Sequence, residues 1–316
     1  MIKMKNIISF FVTIAIIAGI VMNKDIILEK IKSLEVEERE LVIPAYKSWN
    51  KEYKYLYFTE SEDYIPKDYE DLVQIFYSTL NNGWKEFTFY CSEEYVTCLD
   101  DVAKLSYNQK FLAEMNNFVH PYNSYTTIKT QYDTTGEITL KVEKLYSDED
   151  ILKIDEDINK LIKNNTNDNM TTREKIKAMH DTIINSTKYD EERAKNNNSK
   201  YDSSRIQGVL YDHYAICSGY TDIMAVILNK LNIPNFKIAS EGHVWNAVYL
   251  DDNWYHLDLT WDDPVLSSGK NILLHDYFLV NDKEMIRLDE IAKKNDHIYN
   301  KNIYLEFSQY EKNINN

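Results

Sequence analysis

The chain of 316 residues has few of the residues that turn, break or staple a fold, with 7 glycines, 5 prolines and 3 cysteines. Positive charge is also short: 36 lysines and arginines face 51 aspartates and glutamates, a formal net charge of −15. Nucleic-acid binding rests on Lys/Arg contacts to phosphate, and no basic cluster interrupts the acidic balance, so no nucleic-acid partner is expected. There is no Cys-x-x-Cys pair, which argues against the common structural zinc sites. Asp258, Asp262 and Asp263 lie close together but lack the spacing of an EF-hand calcium loop. No internal repeat is visible.

What is present is ordinary for a globular protein, with 44% hydrophobic and 28% charged residues and a conspicuous 25 tyrosines. The length allows one large domain or two modest ones. The first residues depart from that profile. Lys3 and Lys5 precede an apolar run from Ile7 to Met22, broken only by Ser9, Thr13 and Gly19. The run is apolar on every face, no small-x-small cleavage site follows it, and no lipidation cysteine is present. An uncleaved signal-anchor over 1–23 is expected, with the lysines cytoplasmic and the remaining chain outside the membrane; cleaved secretion is the alternative. Residues 24–50 then read as a polar helical stalk or linker. Cys91 and Cys98 are close in sequence and Cys217 stands alone. In an oxidising compartment the first two form a disulfide; the alternative is three reduced, buried thiols.

Residues 51–146 read as a small α+β domain. Tyr53, Tyr55 and Tyr57 alternate with Lys54, Leu56 and Phe58 as in a strand. Asp68–Leu80 has helical spacing, Lys85–Cys91 reads as a strand, and Asp100–Phe118 is helical in pattern. Tyr125–Tyr132 and Glu137–Tyr146 make a hairpin around Asp133-Thr-Thr-Gly136. Its one histidine, His120, reads as structural. A second domain is expected over 147–316. Ile151, Ile154, Ile158 and Leu161 form an apolar stripe, and Thr171-x-x-Glu174 is a capping box opening another helix. His180 reads as a packed helix residue, and Glu191–Lys200 as an exposed polar loop.

The chemistry gathers in Arg205–Pro264. Cys217 opens a run (Thr221, Met224, Leu228, Leu231) of helical spacing that ends at Asn232-Ile-Pro234. A thiol at a helix start meets a dipole and unpaired amides that favour thiolate. The bland alternative is a small buried hydrophobe; Gly219, which permits close approach of another stretch of chain, weighs against it. His243 opens His-Val-Trp-Asn-Ala-Val-Tyr-Leu, and Asp258 lies in Asn-Trp-Tyr-His-Leu-Asp-Leu-Thr-Trp. A two-residue turn at Asp251-Asp252 pairs Leu250 with Asn253 and puts His243, Trp245, Ala247 and Tyr249 on one face with Trp254, His256 and Asp258. Asp258 is then a diagonal neighbour of His243. A three-residue turn sends the two to opposite faces. His256 is the second choice of base, and His213 lies four residues before Cys217.

Gly208-Val-Leu, Ile216-Cys-Ser-Gly-Tyr220, Gly242-His-Val-Trp-Asn246, Trp254-Tyr-His-Leu-Asp-Leu-Thr-Trp-Asp-Asp-Pro264 and Tyr277-Phe-Leu-Val280 together resemble the transglutaminase-like superfamily. The resemblance covers about 171–280. It implies an α+β, papain-like core, a helix carrying Cys217 packed on an antiparallel sheet carrying His243 and Asp258. That core is preceded by the small α+β domain and the apolar N-terminal helix. Cys217 becomes the nucleophile, His243 the base and Asp258 its orienting carboxylate. The oxyanion donor does not carry over cleanly: the Cys217 amide is one candidate, and an upstream side chain, Gln207 or Tyr211, another. Trp245, Trp254 and Tyr220 are candidates to border a substrate groove. The expected activity is acyl transfer from a protein or peptide amide through a Cys217 thioester, with no metal or other cofactor needed. Water as acceptor makes a cysteine peptidase or amidase, the favoured outcome; a lysine amine makes a crosslinking transglutaminase. The rival is a non-catalytic envelope scaffold on the same fold.

Overall fold

The computed structural model describes residues 23, 24, 26, 40–45, 49, 51, 53–265 and 272–307. The apolar run expected as an anchor, and most of the expected stalk, lie outside the described residues. Among the described residues no helix is long and apolar enough to cross a membrane. The chain divides at 42/43, and the described residues from 43 onward fall in one unit, on both sides of the boundary expected between 146 and 147.

The alternating tyrosines at 53–57 predict a strand, and the structure has none there. Tyr55 is buried with its hydroxyl donating to Asn235 O (2.7 Å), and Leu56 N donates to Glu306 Oε1 (3.0 Å). The segment is docked through side chains, and a carboxylate takes the backbone donor that a neighbouring strand would otherwise satisfy. Helix α1 (Tyr69–Asn81) starts where Asp68 accepts from Asp71 N (3.0 Å) and stops before Gly83, at φ +65. Strand β1 (Glu86–Tyr90) follows. The helical stretch expected over 100–118 is two helices, α2 (Cys98–Tyr107) and α3 (Gln109–Asn116). Asn108 breaks it by turning its side chain onto Phe111 N (3.1 Å), the local competition that short amides offer a helix. Strands β2 (Tyr125–Tyr132) and β3 (Glu137–Lys144) form the expected hairpin, and with β1 make an antiparallel sheet in the order β1-β3-β2. Cys91 and Cys98 are bonded to each other, with Cα atoms 5.9 Å apart.

Capping boxes at Ser147/Asp150 and Thr171/Glu174 start helices α4 (Asp148–Asn165) and α5 (Thr172–Ser186). Their apolar stripes, Ile151, Ile154 and Ile158 on one and Ile176, Met179 and Ile183 on the other, enter one core. Strand β4 (Lys188–Tyr189) pairs in parallel with β5 (Tyr214–Ala215). Between them the polar stretch expected as a loop begins as a short helix, α6 (Glu191–Asn196), capped by Asp190. Helix α7 (Cys217–Lys230) runs through the middle of this core. Ile223, Met224, Val226, Ile227 and Leu228 are fully buried along it, each stabilising the fold by about 1.5–3 kcal/mol.

Strands β6 (Asn235–Ala239), β7 (Val244–Leu250) and β8 (Asn253–Leu257) form the second antiparallel sheet, in that order. Asp251 and Asp252 both take left-handed backbone, at φ 49 and φ 60. That is a two-residue turn whose twist suits the hairpin, reached without glycine because Asp tolerates this region better than most residues. The register is Leu250↔Asn253, Val248↔Tyr255 and Asn246↔Leu257. Val248, Leu250, Leu257 and Leu259 therefore join the core. Helix α8 (Asp282–Ala292) and the segment to 307 complete the described chain.

Candidate active site

Cys217 is the first residue of α7, half-exposed, and the one free cysteine. The chain just upstream is clamped. Ile216 N donates to Ser203 O (2.9 Å) and Ser218 Oγ to Ser204 O (3.0 Å). A Cβ on Gly219 would stand 2.5 Å from Ser203 O, so the close approach requires glycine there. The first i→i−4 bond of the helix runs from Tyr220 N to Ile216 O (3.2 Å). The amides of Cys217, Ser218 and Gly219 precede it, as unpaired N–H groups do at a helix start.

The cysteine helix is tied to the histidine strand by polar bonds between their backbones and side chains. Asn246 Nδ2 donates to Thr221 O (3.0 Å), and Thr221 Oγ1 lies 2.9 Å from Val244 O and 2.7 Å from Cys217 O. His243 precedes β7 by one residue. Its Nε2 is 2.5 Å from Asp258 Oδ2, which leaves Nδ1 as the nitrogen for Cys217. Asp258 follows β8 by one residue and is 1% exposed. Its Oδ1 accepts from Thr260 N (2.8 Å) and Trp261 N (3.3 Å), and its Oδ2 also meets His297 Nε2 (2.9 Å).

Burial works against a charged His243, but the Asp258 carboxylate and hydrogen bonds to Asp258 and Cys217 outweigh it and push the imidazole up to about 10. Burial likewise opposes charge on Asp258, yet His243 and then His297 hold that carboxyl well below its usual range. The imidazole therefore keeps a proton at neutral pH between the Cys217 sulfur and a carboxylate, the arrangement in which cysteine nucleophiles work.

Cys217 and His243 open onto a cavity of about 820 Å³ that also presents Tyr189, Trp261, Glu241 and Asp296. Burial, then the proximity of Cys217 and Asp258, pushes the Tyr189 phenol up to about 12, so it remains a hydrogen-bond donor on the cavity wall. Asp263 also faces the cavity; burial pushes it up to about 6, partly offset by the Tyr220 hydroxyl (2.5 Å).

The structure brings Cys217, His243 and Asp258 together and separates the other candidates from them. Trp245 is fully buried, lies under His243 with ring centroids 5.6 Å apart, and donates from Nε1 to His256 Nδ1 (3.0 Å). It supports the imidazole and does not line the cavity. Trp254 is buried among Tyr53, Phe236, Tyr249 and Phe307. The shared strand face is real, but residues 297–307 and Tyr53 cover it, and neither tryptophan reaches a groove. Tyr220 is buried and touches the cavity only through its bond to Asp263. The Tyr211 hydroxyl donates to Asp157 (3.1 Å), so this side chain is engaged by α4 instead of facing Cys217 as an oxyanion donor, and Gln207 is not among the described residues that line the cavity. His256 is buried against Phe307 and His213 is exposed, neither beside the thiol.

Two residues were missed. Tyr189 gives no signal beyond being one of many tyrosines. His297 is 39 residues from Asp258 in a stretch with no periodic pattern. Among the described residues two sets bring metal-binding atoms within 4.8 Å of one another: His180, Asp181 and His275, and His243, Asp258 and His297. In both sets those atoms are engaged in hydrogen bonds with one another.

Residues 159–259 match the model of the transglutaminase-like superfamily. Five chains of solved structures match as well. One, the crystal structure of a TGase, is 20% identical with a TM-score of 0.34, over 43% of this chain and 44% of that chain. The match thus spans less than half the length of that protein. No curated protein matches the chain.

Proposed function

We propose that the chain, whose residues 159–259 match the transglutaminase-like superfamily, is a thiol acyl-transfer enzyme acting on protein or peptide amides, and in the first instance a cysteine peptidase or amidase. One observation carries the reading: His243 sits between Cys217 and Asp258 with its imidazole pushed up to about 10. The Cys217 sulfur attacks the amide carbonyl carbon, forming the C–S bond and a tetrahedral oxyanion. His243 gives its proton to the departing nitrogen, the C–N bond breaks, and an amine leaves the thioester behind. Water then attacks the thioester, His243 takes the proton, and the C–S bond breaks to release the acid. Asp258 keeps the ring in the orientation that serves both steps. The unpaired amides at the start of α7 are the candidate oxyanion donors.

A second reading, transfer to a lysine amine, draws support from the cavity. Glu241, Asp263 and Asp296 line it, and no lysine or arginine is among its described lining residues. The reading includes action outside a membrane, supported by Lys3, Lys5, the apolar run at 7–22 and the bonded Cys91–Cys98 pair.

Native protein treated with iodoacetamide near neutral pH should label Cys217 faster than a free model thiol, and Cys217→Ala should abolish both labelling and turnover. Labelling no faster than the model thiol sinks the enzymatic reading and leaves the scaffold. Incorporation of a primary amine into casein without cleavage products replaces hydrolysis by crosslinking.

A further inference from the structure

We propose that His297 is a positioning residue of the active site, and that the hydrogen-bonded chain behind Cys217 continues through His243, Asp258 and His297 to Asp289. The inference rests on the reading of Cys217 as nucleophile and His243 as its base. It extends that site to a part of the chain beyond residues 159–259.

Asp258 Oδ2 faces two imidazoles, His243 Nε2 at 2.5 Å and His297 Nε2 at 2.9 Å. A buried carboxylate with one such partner can rotate about its last bond. With His297 on Oδ2 and the amides of Thr260 and Trp261 on Oδ1, the plane of this one is set from both sides. His297 is itself fixed. Its Nδ1 contacts Asp289 Oδ1 (2.6 Å), its backbone N–H donates to Asp289 Oδ2 (3.0 Å), and Asp289 belongs to α8. The ring meets Trp245 edge-on, with centroids 4.9 Å apart, and stacks on Tyr277 at 5.3 Å. It is 5% exposed and outside the lining of the cavity, so it does not touch a substrate. A helix that starts 25 positions beyond the end of β8 thus braces the carboxylate that orients the base, by way of one imidazole. Charge-assisted hydrogen bonds of this kind add both energy and geometric specificity.

The two ring nitrogens can be tested separately. His297→Gln carries its amide nitrogen where Nε2 stands and can still meet Asp258. His297→Asn carries it where Nδ1 stands, reaching Asp289 and leaving Asp258 unbraced. The readout is the rate of iodoacetamide labelling of Cys217 at neutral pH in the full chain, with a urea melt of each variant beside it. His297→Gln should stay within about threefold of wild type, and His297→Asn should label about tenfold more slowly at a matching melt, the loss expected for one hydrogen bond to a charged group. Wild-type labelling in His297→Asn, faster labelling, or equal slowing in both variants overturns the inference while the assignment of Cys217 stands. A wild type that labels no faster than a model thiol overturns that assignment and this inference with it. If His297→Asn does not fold, Asp289→Asn decides: labelling slowed about threefold supports the bracing, since it loses one hydrogen bond a step further away, and an unchanged rate overturns it.

Discussion

The two halves of the unit at 43–316 hide different kinds of polar group. Among the described residues up to 146, the buried polar side chains are uncharged amides and hydroxyls, such as Ser78, Asn81, Asn117 and Asn123, with His120 the one histidine. Burial, reinforced by Lys51 and other lysines, pushes that imidazole well below its usual range, so it too is neutral. Beyond 146 buried amides and hydroxyls are joined by ionisable groups that meet one another: Asp222 with Lys237 at 2.9 Å, His180 with Asp262 at 3.1 Å, and Asp258 between His243 and His297. Burying an amide that keeps its hydrogen bonds costs little, whereas burying a carboxylate costs several kcal/mol unless a partner meets it. The first half is held by apolar and aromatic packing. The second half carries an electrostatic load that packing alone does not call for, and such loads concentrate at functional sites.

Asp258→Asn should break this difference most. It leaves two buried imidazoles facing an amide, and removing one member of a buried charged set destabilises by about 3–5 kcal/mol. Labelling of Cys217 should fall on the order of a hundredfold or more, because the base loses the carboxylate that orients it. Urea melts and labelling rates check both effects; a variant that keeps either stability or reactivity shows that Asp258 is a bystander. The same pair sets a pH dependence. The folded His243 is raised to about 10, so its contribution to stability is complete below the unfolded value of about 6.5 and is lost as pH climbs towards 10. The stability difference between wild type and His243→Gln should therefore shrink across that window. A difference that stays flat or grows shows that the proton is not held as the geometry implies.

The contrast sharpens when the first half is damaged instead. Phe89 is fully buried on β1 beside Phe87, and Phe89→Ala should cost about 3–5 kcal/mol. Below its melting temperature the variant should label Cys217 at the wild-type rate. A parallel fall in labelling means that the aromatic half supports the site as well as the fold.

Much of the site was legible because it depends on local periodicity. The turn at Asp251-Asp252 sets the hairpin register, and that register brings Asp258 to His243. The start of α7 at Cys217 follows from the apolar spacing behind it and from Gly219. What periodicity cannot show is which later segment covers a given face. Trp245 and Trp254 do share a face with His243, but Tyr299 and Phe307 lie against it, turning expected groove residues into core. His297 escaped for the same reason, since a long-range contact with Asp258 leaves no trace in spacing. The alternation at Tyr53–Tyr57 misled in the opposite direction, because an extended segment docked by side chains alternates like a strand without a strand beside it.

The smallest test concerns the covalent link in the first half. The Cys91–Cys98 bond spans a sequence separation of 7, joining the residue after β1 to the first residue of α2. Closing so short a loop limits the unfolded chain only modestly, and the chain-entropy estimate is about 2.5 kcal/mol. Replacing both cysteines by serine should lower the urea midpoint accordingly and leave Cys217 labelling unchanged. Reducing the wild type with dithiothreitol should lower the midpoint by the same amount, with the reductant removed before labelling. Should the double variant lose reactivity as well, the link would matter to the site and not only to the stability of the half that carries it. A wild type in which all three thiols react under unfolding, unreduced conditions removes the bond itself, along with its support for an oxidising compartment.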